Sequence, residues 1–444
     1  MSATITLKQI NKLAIPALIS GVSEPILSLT DAAIVGNIEV NATESLAAVG
    51  IVTTFLSMLI WVLGQTRSAI SSLVSQYLGA NNLEAIKSLP AQAIFIITSL
   101  SILIILTTYP FAASIFKLYN ASDLILDYSV DYYKIRVFGF PFTLFTIAVF
   151  GTFRGLQNTY YPMLIAIVGT IANIVLDVVL VYGVDGLIPA MNIKGAAYAS
   201  VVAQLIMATL SVYYLLRKTE ISLKPTFPFN KEIKTFILMI FNLFVRTLAL
   251  NVTLYYASAF STSYGKEYIA AYTIAINLWF LGAFIVDGYS SAGNILSGKL
   301  YGQKNYKALV QLSNKLIKYG MILGVAIAII GGVLYYPIGN IFTNDPEVLK
   351  QFYNIFWIVL AMQPFCALAF IFDGVFKGLG KMKYLRNVLL FSTFIIFIPI
   401  LFWLDALDYK LYAIFIAITF WMIARGVPLI IKFRRQFLSL SQKT

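Results

Sequence analysis

The sequence predicts an all-α polytopic membrane protein, with twelve transmembrane helices in two parallel six-helix lobes around a central cavity. Three observations carry that expectation. They are the hydropathy of the chain, the alternation of charge between its loops, and an internal repeat.

Of the 444 residues, 59% are hydrophobic and 11% are charged. Mean hydropathy is +0.83. A soluble domain carries about 25% charged residues. Apolar runs long enough to cross a bilayer as a helix recur along the whole chain, and they lack the short alternating segments of a barrel. The predicted spans are 13–37, 46–78, 91–115, 131–153, 160–182, 194–216, 233–261, 269–300, 313–341, 354–376, 384–404 and 410–432. The longest are read as tilted, or as extending past the bilayer. The first run exceeds the apolar region of a signal peptide, so it is expected to remain as a span.

The loops then sort by charge. The N-terminus and the even-numbered loops carry Lys8, Lys12, Lys87, Arg154, Arg217, Lys218, Lys299, Lys304, Lys377 and Lys381, and the C-terminus carries Arg434 and Arg435. The odd-numbered loops carry Glu39, Glu44, Asp123, Asp127, Asp345, Glu347, Asp405 and Asp408. Basic residues stay on the cytoplasmic side. Both termini are therefore expected there, in a cell membrane such as a bacterial inner membrane. The net charge of +13 does not indicate nucleic acid, because the basic residues sit where orientation explains them. Histidine is absent and Cys366 is the one cysteine, which removes disulfides, His/Cys metal sites and the usual nucleophile–base pairs. Neither an enzyme nor a cofactor is expected.

The repeat is in register throughout. Ala47-Ala48 recurs as Ala270-Ala271, 223 positions on, and the same interval relates Ser68-Ala69 to Ser291-Ala292, Gly79 and Asn82 to Gly302 and Asn305, and Pro141-Phe142 to Pro364-Phe365. Gly151-Thr-Phe-Arg-Gly-Leu156 likewise becomes Gly374-Val-Phe-Lys-Gly-Leu379. Six is an even number of spans, so both halves enter from the same side and the repeats are parallel. The lobes are expected at 1–216 and 235–444, joined by a basic cytoplasmic linker at 217–234 that holds Pro225 and Pro228. Two such lobes facing each other have the layout that alternating access needs.

Few polar groups fall inside the spans. Asn173 and Asp177 are four residues apart, on one helical face. Glu24 and Asp31 are seven apart in span 1, on either side of Pro25, a predicted hinge. Ser200 ends the small-residue run Gly195-Ala-Ala-Tyr-Ala-Ser200, which permits close helix approach. Span 7 has Arg246, span 8 has Asp287, and span 10 has Asp373 near its end. A carboxylate at mid-membrane depth costs about 2.5–3.5 kcal/mol on insertion scales. Such a group is kept where it meets a cation, a proton or a polar cavity. Asp31, Asn173, Asp177 and Ser200 offer carboxylate, amide and hydroxyl oxygens, the donor set of Na⁺, while a proton needs only a carboxylate. Either is the expected coupling ion. Glu24, Asp287, Asp373 and Arg246 are accessory candidates. Plainer readings stand beside these: Arg246 as a structural counter-ion, Asp373 as a helix-end residue, and Asp177 as a paired structural acid.

At these residues the chain resembles a multidrug and toxic compound extrusion (MATE) transporter of the DinF-like branch. The resemblance rests on Thr30-Asp-Ala-Ala-Ile-Val-Gly36, Phe153-Arg-Gly-Leu-Gln-Asn158, Asn173-Ile-Val-Leu-Asp177 with Gly195–Gln204, Asp287-Gly288, and Asp373-Gly-Val-Phe-Lys-Gly-Leu-Gly380. It covers essentially the whole chain. It implies a monomeric two-lobed antiporter that exports amphipathic, mostly cationic compounds in exchange for H⁺ or Na⁺. The family's cation site carries over to Asp31, Asn173 and Asp177, with Ser200 where a threonine is typical. The chain departs from the branch at Asn294, which often is a glutamate there, and at Asn158, which often is an aspartate. The alternative is a flippase for lipid-linked oligosaccharides from the same wider superfamily. Such proteins have extra spans and a strongly cationic cavity, whereas only Arg246, Arg67 and Arg425 lie at membrane depth in this chain.

Overall fold

A computed structural model describes residues 5–39, 41–184 and 186–442, the side chain of Glu24 excepted. Among the described residues, the one β feature is an isolated bridge between Val184 and Ile188. Among the described residues, eleven helices are long and apolar enough to cross a membrane, and a pair bent by 50° passes the same test together, giving twelve if it is one span. In chain order they are α1 (Leu7–Val35), α2 (Ala42–Gly79), α3 (Leu83–Thr108), α4 (Asp123–Gly155), α5 (Tyr160–Tyr182), α6 (Asn192–Lys218), α7 (Ile233–Ser263), α8 (Lys266–Gly302), α9 (Tyr306–Val333), the bent α10 (Pro346–Ala361 and Gln363–Gly378), α11 (Met382–Asp405) and α12 (Leu411–Ser441). Each predicted span falls on one of them.

The differences lie at helix ends, and proline accounts for them. Span 3 was expected to run to residue 115, but α3 stops at Thr108 and a separate short helix covers Ala112–Lys117. Pro110 between them has no N–H to continue the ladder, so the helix stops there although Tyr109 before it keeps helical dihedrals. Span 9 was expected to reach residue 341. Instead α9 ends at Val333, and Tyr335–Phe342 forms its own helix with Pro337 in the first turn.

Prolines inside the spans shape them too. Pro364 cannot bond to the Leu360 carbonyl, and α10 bends there by 50°. Its repeat partner Pro141 follows a 3₁₀ turn at Val137–Gly139 inside α4. In α11, the residues before Pro399 widen into a π-helical segment, Ser392–Phe397, in which the Ile398 N–H bonds back five residues to the Thr393 carbonyl. By contrast, α1 is an uninterrupted helix through Pro25. Asp345 caps α10, accepting from the N–H groups of Glu347 at 2.9 Å and Val348 at 3.4 Å, and Asn305 caps α9 through the Ala308 N–H at 3.0 Å.

The chain forms two compact units. One contains the residues through Leu18, Ser75–Asn81 and Phe241–Thr444, and the other contains Ile19–Val74 and Asn82–Ile240. In the first, small residues let helices touch backbone to backbone. A Cβ on Gly79 would stand 2.0 Å from the Lys299 carbonyl oxygen, and one on its repeat partner Gly302 would stand 1.9 Å from that of Gln76. The tips of α2 and α8 therefore meet through a reciprocal glycine pair. Gln76 Nε2 adds a 2.8 Å bond to the Gly378 carbonyl. Between α8 and α10, Ser297 Oγ donates to the Val375 carbonyl at 3.0 Å. In the second unit, buried Gln92 on α3 holds the loop between α6 and α7. Its amide donates to the Thr226 carbonyl at 2.6 Å and accepts from the Asn230 N–H at 2.9 Å.

A Cβ on Gly374 would lie 2.0 Å from the Ser290 carbonyl oxygen, which cannot move without shifting α8. Gly374→Ala is therefore expected to destabilise the protein by about 1–3 kcal/mol through overpacking. Gly332, with nothing within 4 Å of such a Cβ, is the control. Thermal unfolding of the detergent-solubilised variants should show a lower melting temperature for Gly374→Ala and none for Gly332→Ala.

Candidate functional site

Asn173 and Asp177 lie on the inward face of α5 and are 1% and 0% exposed. The opposite face of α5, at Val168, Ile171, Val175 and Val178, is exposed, as expected of a helix that meets lipid on one side. Neighbouring α6 comes close because Gly195 packs on the α5 backbone: a Cβ there would stand 2.5 Å from the Leu180 carbonyl oxygen. That approach carries Ser200 to the polar pair on α5. Ser200 Oγ accepts from Asn173 Nδ2 at 3.4 Å and donates to Asp31 Oδ2 on α1 at 2.9 Å. Asp31 is itself 2% exposed.

Three of the four residues thus form one hydrogen-bonded chain, Asn173–Ser200–Asp31. Asp177 is the fourth, and Asp31 is near enough to act on it electrostatically. What remains unmet is all oxygen. Asp31 Oδ1, Asn173 Oδ1 and both carboxylate oxygens of Asp177 are buried without a hydrogen-bond partner. A buried acceptor without a donor is costly, and two neighbouring carboxylates cannot both hold their charge there cheaply. A proton shared by the pair, or an oxygen-liganded monovalent cation, would satisfy this set. Among the described residues no group of three or more His, Cys, Asp or Glu side chains converges, so the set does not resemble a transition-metal site.

Two further side chains belong to this neighbourhood. Tyr132 on α4 is fully buried, and its hydroxyl lies in the field of Asp31, Asp177 and Arg136. Arg136, one turn along α4, also acts on Asp177. Tyr132 stands at the edge of the predicted fourth span, where an aromatic reads as interfacial belt. The spacing of Tyr132 and Arg136, one helical turn, was the signal available.

The accessory candidates lie elsewhere. Asp373 on α10 pairs with Arg246 Nη2 on α7 at 2.7 Å and with Lys377 Nζ at 3.3 Å. Arg246 and Asp373 are 5% and 6% exposed. Asp287 on α8 is half-buried and acts on Lys377. The side chain of Glu24 lies outside the described residues. Lys377 and Arg425 also belong to this second cluster, and their place in the sequence, a span end and a lone arginine in span 12, does not mark them as site residues.

A protein-family model described as MatE matches residues 16–179 and 239–403. Protein DETOXIFICATION 42 of Arabidopsis thaliana is 26% identical over 279 residues, which cover 62% of this chain and 52% of that relative. The chain therefore spans about half the length of that curated relative. DNA damage-inducible protein F of Escherichia coli (strain K12) is 26% identical over 385 residues, covering 84% of this chain and 81% of that one. The crystal structure of the Vibrio cholerae MATE transporter VcmN in the bent form superposes with a TM-score of 0.88 at 20% identity, covering 98% of each chain. That likeness establishes a shared arrangement of helices.

Ser200 is the bridge on which the geometry turns. Ser200→Ala leaves Asp31 Oδ2 and Asn173 Nδ2 without their partner and should cost about 1–3 kcal/mol. Ser200→Thr keeps the hydroxyl and should remain near wild type. Chemical unfolding of the purified variants reads the difference, and an alanine variant as stable as the threonine variant would contradict it.

Proposed function

From the premise that this chain belongs to the MatE family of multi-pass membrane transporters, we propose that it is a secondary active antiporter. In this reading it exports amphipathic organic compounds, cationic ones among them, in exchange for H⁺ or Na⁺. It works as a monomer by alternating access, in a cell membrane such as a bacterial inner membrane, with both termini cytoplasmic. The lobes are 1–216 and 235–444, with 217–234 between them.

The observation that carries the reading is the pair of buried carboxylates, Asp31 and Asp177, with unpartnered oxygens on apolar helices long enough to cross a membrane. In hydrocarbon such a pair favours whichever state supplies it a positive charge. An ion that binds one conformation more tightly than the other shifts the equilibrium by that difference in affinity, and the same difference couples its gradient to cargo. Asp31 and Asp177 hold the ion, Asn173 and Ser200 complete the oxygen set, and Pro25 lets α1 bend as the site fills. The freed Gly21 carbonyl opposite Pro25 supports that hinge, because one rung of the ladder is already missing.

Fluorescent-dye efflux from everted vesicles tests this. A Na⁺ gradient alone and a pH gradient alone separate the two ions. Asp177→Asn removes a charge while keeping size and shape, and should abolish efflux driven by whichever gradient works. Undiminished gradient-driven efflux in that variant would overturn the assignment.

A further inference from the structure

The unit that contains α7–α12 holds a second group of buried charges, and it does not balance. Arg246, Lys377 and Arg425 are its cations, while Asp373 and the half-buried Asp287 are its acids. Among the described residues, one positive charge is in excess. Asp373 is already shared, with one oxygen bound to Arg246 and the other to Lys377. Asp373 also acts on Arg425 electrostatically, but its oxygens bond to Arg246 and Lys377, so the excess is least answered at Arg425.

Arg425 is 3% exposed, in the middle of α12. Among the described residues it forms no ion pair. Its guanidinium lies over the Trp421 ring, 4.9 Å from the centroid, and over Phe370 at 5.2 Å. One terminal nitrogen donates to Met422 Sδ at 3.6 Å. Arginine does not shed its proton in proteins, so this charge cannot be removed by titration. Ring faces and a thioether sulfur are weak partners for a desolvated guanidinium, whose five donors match two oxygens of a planar or tetrahedral anion. The surroundings are also held in place. Trp421 Nε1 donates to Thr393 Oγ1 at 3.1 Å, and that hydroxyl is 3.1 Å from Thr253 Oγ1 on α7. Thr393 sits in the π-helical segment of α11, and π-bulges are frequent at functional sites. Behind this, Arg246 Nε is buried without a hydrogen-bond partner.

We propose that this unit accepts one anionic group, a carboxylate or a phosphate, at the Arg425 guanidinium, with Arg246 and Lys377 as its positive surroundings. The excess of one cation sets one anionic group as the complement. The rings and thioether packed around the guanidinium set an apolar body for the rest of the molecule, so the ligand is an amphipathic acid. That this acid is cargo rests on the transporter reading above; that it binds does not. A free organic acid and an anionic lipid headgroup share the chemistry, and the test separates them.

The full-length protein is reconstituted in phosphatidylcholine nanodiscs, and binding of radiolabelled 2-naphthoate and its neutral isostere 2-naphthamide is measured by equilibrium dialysis. The acid is expected to bind at least about tenfold more tightly than the amide. In Arg425→Gln that preference should fall to within about twofold, and Arg425→Lys, a point charge without the fork, should keep part of it. Should the glutamine variant fail to fold, the lysine variant still reads the loss of the fork as a weakened preference. Naphthoate binding that disappears when phosphatidylglycerol replaces phosphatidylcholine supports the site and assigns it to a lipid headgroup. Equal affinity for acid and amide in wild type, or an undiminished preference in the folded variants, would overturn the proposal. Ion-driven dye efflux measured in parallel keeps the two readings apart: a naphthoate preference without such efflux removes only the transporter reading.

Discussion

Hydrocarbon offers no hydrogen bonds, and most of what is distinctive in this chain follows from that. Every backbone polar group must be met internally, so the spans are helices. Every side chain with a charge must find a partner or a purpose. The protein meets the first demand with small residues. Gly195 brings α6 onto α5, and Gly374 brings α10 onto α8, so that hydroxyls such as Ser200 and Ser297 reach across the gap. The polar chemistry exists because the glycines let the helices come close enough to share it.

The second demand is met differently in the two repeats. Positions 396 and 400, which correspond to Asn173 and Asp177, are both isoleucine, and position 150, which corresponds to Asp373, is phenylalanine. Position 154 keeps a basic residue, Arg154, against Lys377. The packing marks survived duplication, as Pro141/Pro364 and Gly79/Gly302 show, while the charges diverged. One set gathers oxygens without donors; the other gathers donors without enough oxygens. Two copies of one scaffold have thereby acquired opposite electrostatic character, which lets them respond to different species.

Much of this was legible in the amino-acid sequence, and the boundary is physical. The apolar spans could be placed, because a bilayer crossing demands a long apolar run that little else in a protein resembles. Asn173 and Asp177 could be put on one face, because helical periodicity is local. The bridge through Ser200 to Asp31 joins residues 169 positions apart and depends on how three helices stack. The residues could be grouped by their oxygen chemistry and by family resemblance, but spacing could not show that Ser200 bridges Asn173 and Asp31. Tyr132 was obscured by its place at a span edge, and the stacking of Arg425 on Phe370 joins residues of different spans, which periodicity does not relate. The π-helical segment of α11 leaves no mark that residue types alone reveal, although Pro399 behind it hints at a disturbed ladder.

That segment also makes length, rather than side-chain identity, the quantity that matters locally. A π turn holds one more residue than the α turn it replaces, so everything beyond Phe397 is rotated relative to a regular helix. Thr393, at the start of the segment, holds Trp421 of α12, while the residues that follow Phe397 carry the offset. Exchanging residues in Ser392–Phe397 would leave the phase of α11 intact, whereas deleting a single one would rewind it and turn a whole face of the helix. In a lineage of such proteins, this stretch would tolerate drift in composition and resist insertion and deletion, the reverse of what surface loops do.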